Sequence, residues 1–176
     1  MFNKILVAID NSENSSHVFE EALSLAKATG ANLMLFHVLS PFEDGYINPM
    51  PLNSSSVYPT FNTEFADYYL GLWEKLKQET IQLLTYFSNQ AKEAGVNAKY
   101  AISLGHTGKI ICEKARDWNA DLIMIGRRGI SGLSEFFLGS VSNYVLHYAP
   151  CSVLTVQETS ERKKQVSQEH NLSFAK

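Results

Sequence analysis

The chain has 176 residues, 45% of them apolar, with a formal net charge of −3, which suits one globular domain with a sizeable core. Without a long basic stripe the chain lacks the means to neutralise many phosphates, so nucleic acid is excluded as the main partner. No apolar run approaches the roughly 20 residues that cross a bilayer, and the N-terminus enters a strand directly, so the expectation is a soluble, cytoplasmic protein with no membrane span.

Lys4 to Ile9 and Asn32 to Val38 are short apolar runs. Between them Val18, Phe19, Ala22, Leu23 and Ala26 recur at helical spacing. Ser12 is the expected N-cap and Gly30 the expected stop of a helix over Glu13 to Thr29, so the segment reads as a right-handed βαβ unit. Pro41, Gly45, Pro49, Pro51, Ser54 to Ser56 and Pro59 then mark a long flexible loop over about 40–62, read as a lid, a partner-binding arm or a segment without function. Phe65 to Ala94 is free of proline, carries Leu72, Leu76, Ile81, Leu84 and Phe87, and stops at Gly95, predicting a long helix. Its aromatic cluster, Tyr68, Tyr69 and Trp73 with Leu72, reads as core or interface packing.

Asn97 to Ser103 predicts a third strand and Thr107 to Trp118 a third helix, with Thr107 suited to its N-cap and Gly105 and His106 at the rim of any site there. Leu122 to Ile125 predicts a fourth strand, Ser140 to Tyr148 a short helix and Ser152 to Val156 a last strand. Strands alternating with helices, rich in residues buried on both faces, indicate an α/β fold: one open, five-stranded parallel sheet covered by helices on both sides. Residues 158–176 are polar and read as a disordered tail. Cys112 and Cys151 form no Cys-x-x-Cys pair, and the histidines at 17, 37, 106, 147 and 170 are scattered, so no zinc site is expected.

The most informative run follows the fourth strand: Gly126, two residues, Gly129, nine residues, then Gly139-Ser140. Glycines leaving a strand let the main chain approach a ligand, and a helix opening at Ser140 offers free N–H groups to an anion. It is not a P-loop, because Gly105-His106-Thr107-Gly108-Lys109 leaves two residues where four are needed. Nor is it a dinucleotide fingerprint, since Gly126, Gly129 and Gly132 are spaced by threes after a late strand.

This spacing resembles the nucleotide-binding branch of the universal stress protein family. Val7-Ala8-Ile9-Asp10, Gly105 and Ala149-Pro150-Cys151 fall where that family places equivalent features, and the resemblance spans residues 1–157. It implies a Rossmann-like sheet of order 3-2-1-4-5, related to adenine nucleotide alpha hydrolases, in which Asp10 and Gly126 converge. It also implies an ATP or AMP ligand, with Mg²⁺ accompanying ATP. On this reading Ile9 and Val38 form an adenine slot, and Asp10 meets a ribose hydroxyl or helps to hold Mg²⁺ through the nucleotide. Gly126, Gly129, Gly139, Ser140, Val141 and Ser142 would receive phosphates, with Arg127 and Arg128 adding charge-assisted contacts or standing as solvated surface residues. Pro150-Cys151 departs from the family's usual Cys-Pro order, which bears on the start of the last strand. The family commonly dimerises through that strand, here Val153 to Val156.

The function expected is that of a homodimeric, nucleotide-binding regulatory module in stress response, acting through an unknown protein partner. A slow ATPase or nucleotide-cleaving enzyme and a nucleotide-free dimeric interaction module are the alternatives. No catalytic constellation stands out, so hydrolysis is expected at most as a weak side activity.

Overall fold

The structure, a computed structural model, describes residues 1–12, 14–40, 63–127 and 139–157, the side chains of 63–69 excepted. Five strands, β1 (Lys4–Ala8), β2 (Asn32–Leu39), β3 (Ala98–Leu104), β4 (Leu122–Gly126) and β5 (Ser152–Val156), form one parallel sheet of order β3-β2-β1-β4-β5. They alternate with α1 (Asn14–Thr29), α2 (Thr63–Glu93), α3 (Thr107–Trp118) and α4 (Ser140–Tyr148). The long loop expected from 40 and the expected tail at 158–176 lie, apart from Ser40, outside the described residues.

Side chains alternate across each strand and so feed two cores. Ile5, Val7, Leu33 and Leu35 pack on one face with Val18, Phe19 and Ala22 of α1 and Leu84 and Phe87 of α2. Phe19 and Phe87 stack with ring centroids 4.5 Å apart. Leu6, Phe36, Ile123 and Ile125 point the other way, toward Ile111, Cys112 and Ala115 of α3 and Val145 of α4. Both cysteines therefore sit in or against this second core, and burial pushes both thiols up.

The expected stops at Gly30 and Gly95 are in place, with φ of 72° and 78°, values that favour glycine. The Gly30 N–H closes α1 on the Ala26 carbonyl at 2.8 Å. The stop of α3 is Asn119, also left-handed at φ 53°.

Two helices per face follow from the strand order. The chain moves outward from β1 to β2 and β3 with α1 and α2 on one side, then crosses back to β4 with α3 on the other. β1 thus has β2 and β4 as neighbours reached in opposite directions, and this reversal opens a crevice at the strands' carboxyl ends.

At the opposite end of the sheet, Asp121 pins β1 beside β4. Its Oδ2 accepts the N–H groups of Asn3 at 2.6 Å and Lys4 at 2.8 Å, and these donors hold its carboxyl below the usual carboxylate value. A group whose folded pKa is depressed adds stability above its unfolded value, about 3.9 for Asp, and loses it as pH falls through the folded one. Urea titrations from pH 7 to 3 should therefore show Asp121→Asn less stable than wild type at pH 7, with the gap narrowing on acidification. A gap constant with pH would show that the charge contributes nothing.

Candidate functional site

A cavity of about 330 Å³ lies at the carboxyl ends of β1, β2 and β4. The first helical residues of α1, α3 and α4, which are Asn14, Thr107 and Ser140, all line it. Three helix N-termini thus face one space, each adding the partial positive charge of its helix dipole.

The α4 end has no side-chain cap. Its N-cap, Gly139, has no side chain to accept an N–H, and the first bond into the helix runs from Asn143 N–H to the Gly139 carbonyl at 2.9 Å. The N–H groups of Ser140, Val141 and Ser142 precede that bond and belong to the turn that intrahelical pairing leaves unsatisfied. The Ser142 hydroxyl is already committed, donating at 3.0 Å to the carbonyl of Gly126, which ties α4 to the end of β4. Its part in anion binding would be through the main chain.

Asp10 organises the opposite wall. Its Oδ1 accepts the Ser12 N–H at 3.1 Å, the Ser12 hydroxyl, and the Ser15 hydroxyl at 2.6 Å, while its own N–H donates to Ser15 Oγ at 3.0 Å. This is an Asx turn leading into α1. It corrects the expected N-cap: the Ser12 hydroxyl bonds Asp10 and does not cap α1, whose first turn instead uses the Ser12 carbonyl, accepting the Ser15 N–H at 3.1 Å. Thr107 is likewise not the cap of α3. His106 holds the N-cap position, and Thr107 is the first helical residue and part of the cavity wall. Gly105 and His106 are exposed and do not line the cavity.

Ile9, Phe36, Val38 and Ile111 all line the cavity, Ile9 from the first core and the other three from the second. His37 is buried and donates from Nδ1 to the Ile9 carbonyl at 2.8 Å. A carbonyl only accepts, so Nδ1 carries a proton. This bond extends the β1 and β2 pairing past the last ladder bond, Ile9 N–H to the Phe36 carbonyl at 2.9 Å.

Sequence reasoning passed over His37, Asn14 and Ser15. The signal for His37 was its place next to Val38 at a strand end, and that for Ser15 was its spacing three residues after Ser12.

Gly126 has a different reason for being glycine than the one its sequence context suggests. A Cβ there would sit 2.8 Å from Asn14 Nδ2 and 3.1 Å from Val18 Cγ2, so any side chain requires the Asn14 amide to move aside and Val18 to give way. Arg127 turns toward β5: its N–H bonds the Val156 carbonyl at 2.8 Å and its Nη1 the Gln157 Oε1 at 2.9 Å, and it is not part of the cavity wall. Arg128 and Gly129 lie outside the described residues.

Among the described residues, Asp10 is the only carboxylate in the wall, no Lys or Arg lines it, and no group of three metal-ligating side chains occurs. Among the described wall residues, an anion would meet helix N–H groups and no side-chain cation. Its volume is at the lower end of the roughly 300–1,000 Å³ of small-molecule sites. The glycine cap at α4 fits an anionic group, and the buried Asn14 Oδ1 without a hydrogen-bond partner fits a donor on the same ligand. Among the described residues no helix is long and apolar enough to cross a membrane.

A model of the universal stress protein family matches residues 1–157. The universal stress protein Sll1388 of Synechocystis sp. is 36% identical over 160 residues, covering 89% of this chain and 98% of that protein. Solved structures share the fold. The hypothetical protein MJ0577 superposes with a TM-score of 0.71 at 22% identity, over 91% of this chain and 99% of that one. An Arabidopsis thaliana family protein with AMP bound gives 0.62 at 22% identity, over 91% and 94%. A universal stress protein in complex with cAMP gives 0.59 at 20%, over 89% and 97%.

Proposed function

This chain belongs to the universal stress protein family, and from that premise we propose that it is an adenine-nucleotide-binding regulatory module. The observation that carries the proposal is the cavity at the sheet's reversal point, onto which three helix N-termini open, with α4 capped by a glycine. Such an end favours a phosphate through both its N–H groups and its dipole. That structural neighbours hold AMP and cAMP supports an adenine ligand.

In this reading adenine enters between Ile9 and Val38, and the phosphates run toward Gly139, Ser140, Val141 and Ser142, with Gly126 as the floor beneath them. Arg128 and Gly129 complete the phosphate loop by their place in the glycine spacing. Asp10 meets the ribose, or a Mg²⁺ ion held mainly by phosphate oxygens, as a lone carboxylate can. When bound, the nucleotide supplies a switchable charge, and the chain's own residues only hold and orient it. β5 is an edge strand with Leu154 exposed, and pairing of Val153 to Val156 with a second copy would cover that edge in a cytoplasmic homodimer. Nucleotide state would then select a protein partner in the stress response.

Calorimetric titration of nucleotide-stripped protein with ATP and Mg²⁺, AMP and adenosine tests the site. Ser140→Asp is the informative variant, because an acidic residue in a helix's first turn supports the helix yet occupies the anion position. Its melting temperature should match or exceed wild type, while ATP affinity falls about tenfold or more through like-charge repulsion. Adenosine binding should be unchanged. Equal weakening of adenosine and ATP would place the phosphates elsewhere.

A further inference from the structure

The geometry points to Asn14 as the residue that reads the ribose of the bound nucleotide, an inference that rests on the nucleotide reading of the cavity. Asn14 opens α1 and lines the cavity, and its Oδ1 is buried with no hydrogen-bond partner. The other such atom among the described residues, Thr80 Oγ1, is on α2 and does not line the cavity. The polar groups around Asn14 are engaged: Asp10 with Ser12 and Ser15, His37 with Ile9, Ser142 with Gly126. A buried side-chain oxygen left unpaired in the cavity wall calls for a missing partner.

The chemistry of the atom narrows that partner. A carboxamide oxygen only accepts, so it needs a donor. Phosphate oxygens and the ring nitrogens of adenine are acceptors, which leaves the ribose hydroxyls and the exocyclic amine. Asn14 lies against Gly126, where the glycine spacing assigned to the phosphates begins, whereas this reading gives the exocyclic amine to Ile9 and Val38. The hydroxyls are therefore the donors within reach.

Gly126 makes the contact adjustable. Asn14 Nδ2 rests in the space that a Cβ at Gly126 would fill. The terminal torsion of Asn is broad and roughly two-fold, so a half-turn exchanges its nitrogen and oxygen at low cost. Ligand entry can thus bring Oδ1 out to a sugar hydroxyl, with Nδ2 taking its former place. A side chain at Gly126 would block that turn.

The test is calorimetric titration of wild type, Asn14→Ala and Asn14→Leu with ATP, 2′-deoxyATP and 3′-deoxyATP, alongside melting of the ligand-free proteins. Wild type should bind at least one deoxy analogue about tenfold more weakly than ATP, the worth of a single hydrogen bond. Asn14→Ala should bind ATP and that analogue alike, at the wild type's affinity for the analogue. Ligand-free Asn14→Leu, which removes the stranded acceptor and keeps the bulk, should melt no lower than wild type. An Asn14→Ala protein that keeps the wild-type preference would overturn the assignment, as would a wild type that binds all three nucleotides equally. A marked fall in melting temperature for Asn14→Leu would do the same, by showing the amide satisfied without ligand. Wild type that binds no adenine nucleotide would sink the nucleotide reading itself, and this inference with it.

Discussion

Gly126→Val is expected to destabilise the ligand-free protein by about 1–3 kcal/mol, the usual cost of forcing atoms into a packed interior. For a chain of this length that is a fall of about 2–4 °C in melting temperature per kcal/mol. Even the first added carbon would meet Asn14 Nδ2 at 2.8 Å and Val18 Cγ2 at 3.1 Å, and valine adds two methyl groups beyond it. Val18 is β-branched and buried, so it yields little, and α1 must back away from β4. The Gly126 carbonyl also holds the Ser142 hydroxyl, so the shift spreads to α4 and nucleotide affinity should fall with stability. Pairing the change with Asn14→Ala removes one of the two contacts and should recover part of the stability, a coupling that a double-mutant cycle in urea measures. If Gly126 served only to let a ligand approach, ligand-free Gly126→Val would unfold at the wild-type urea concentration.

The second large effect concerns Asp10. Asp10→Ala strands the Ser12 N–H and leaves the buried Ser15 hydroxyl without a carboxylate, so the turn into α1 loosens at a cost of about 1–3 kcal/mol. Asp10→Asn keeps an oxygen acceptor for Ser12 and Ser15 and should retain most of that stability. The two variants separate structure from ligand chemistry. If the negative charge helps to hold Mg²⁺ on the phosphates, Asp10→Asn should abolish the gain in ATP affinity that Mg²⁺ gives wild type, while binding AMP nearly as well. A Mg²⁺ effect of wild-type size in Asp10→Asn would confine Asp10 to the turn.

Much of this architecture was legible in the chain. The helical spacing of Val18, Phe19, Ala22 and Ala26, the glycines at 30 and 95, and the alternation of short apolar runs with helices gave the element order to within a residue or two. Local rules suffice there, because a helix face or a buried strand is written in residues that are neighbours in sequence. The strand order 3-2-1-4-5 was available only through resemblance, and the structure bears it out.

The site was legible as a spacing and not as a geometry. Sequence brought Asp10, Gly126 and Ser140 to attention, and the fold sets all three around one cavity. Ser12 and Thr107 show the limit: both have the right chemistry for an N-cap, but a carboxylate two residues before Ser12 competes for its hydroxyl, and His106 takes the cap position ahead of Thr107. Arg127 likewise follows a glycine in the loop but turns its guanidinium toward Gln157 at the end of β5. Propensity ranks such residues without saying which partner will be nearest.

By itself, then, the sequence determined an α/β chain with a phosphate-type glycine pattern after its fourth strand, since burial periodicity and turn chemistry are local properties. Only the tertiary structure decided that Gly126 is glycine because α1 presses on β4, that His37 fastens Ile9, and that Asn14 brings an unpaired oxygen to the wall. Each of these is a contact between elements far apart in the chain. Strand register, crossover hand and the depth to which a helix settles on the sheet create it, and no single stretch of residues encodes any of the three.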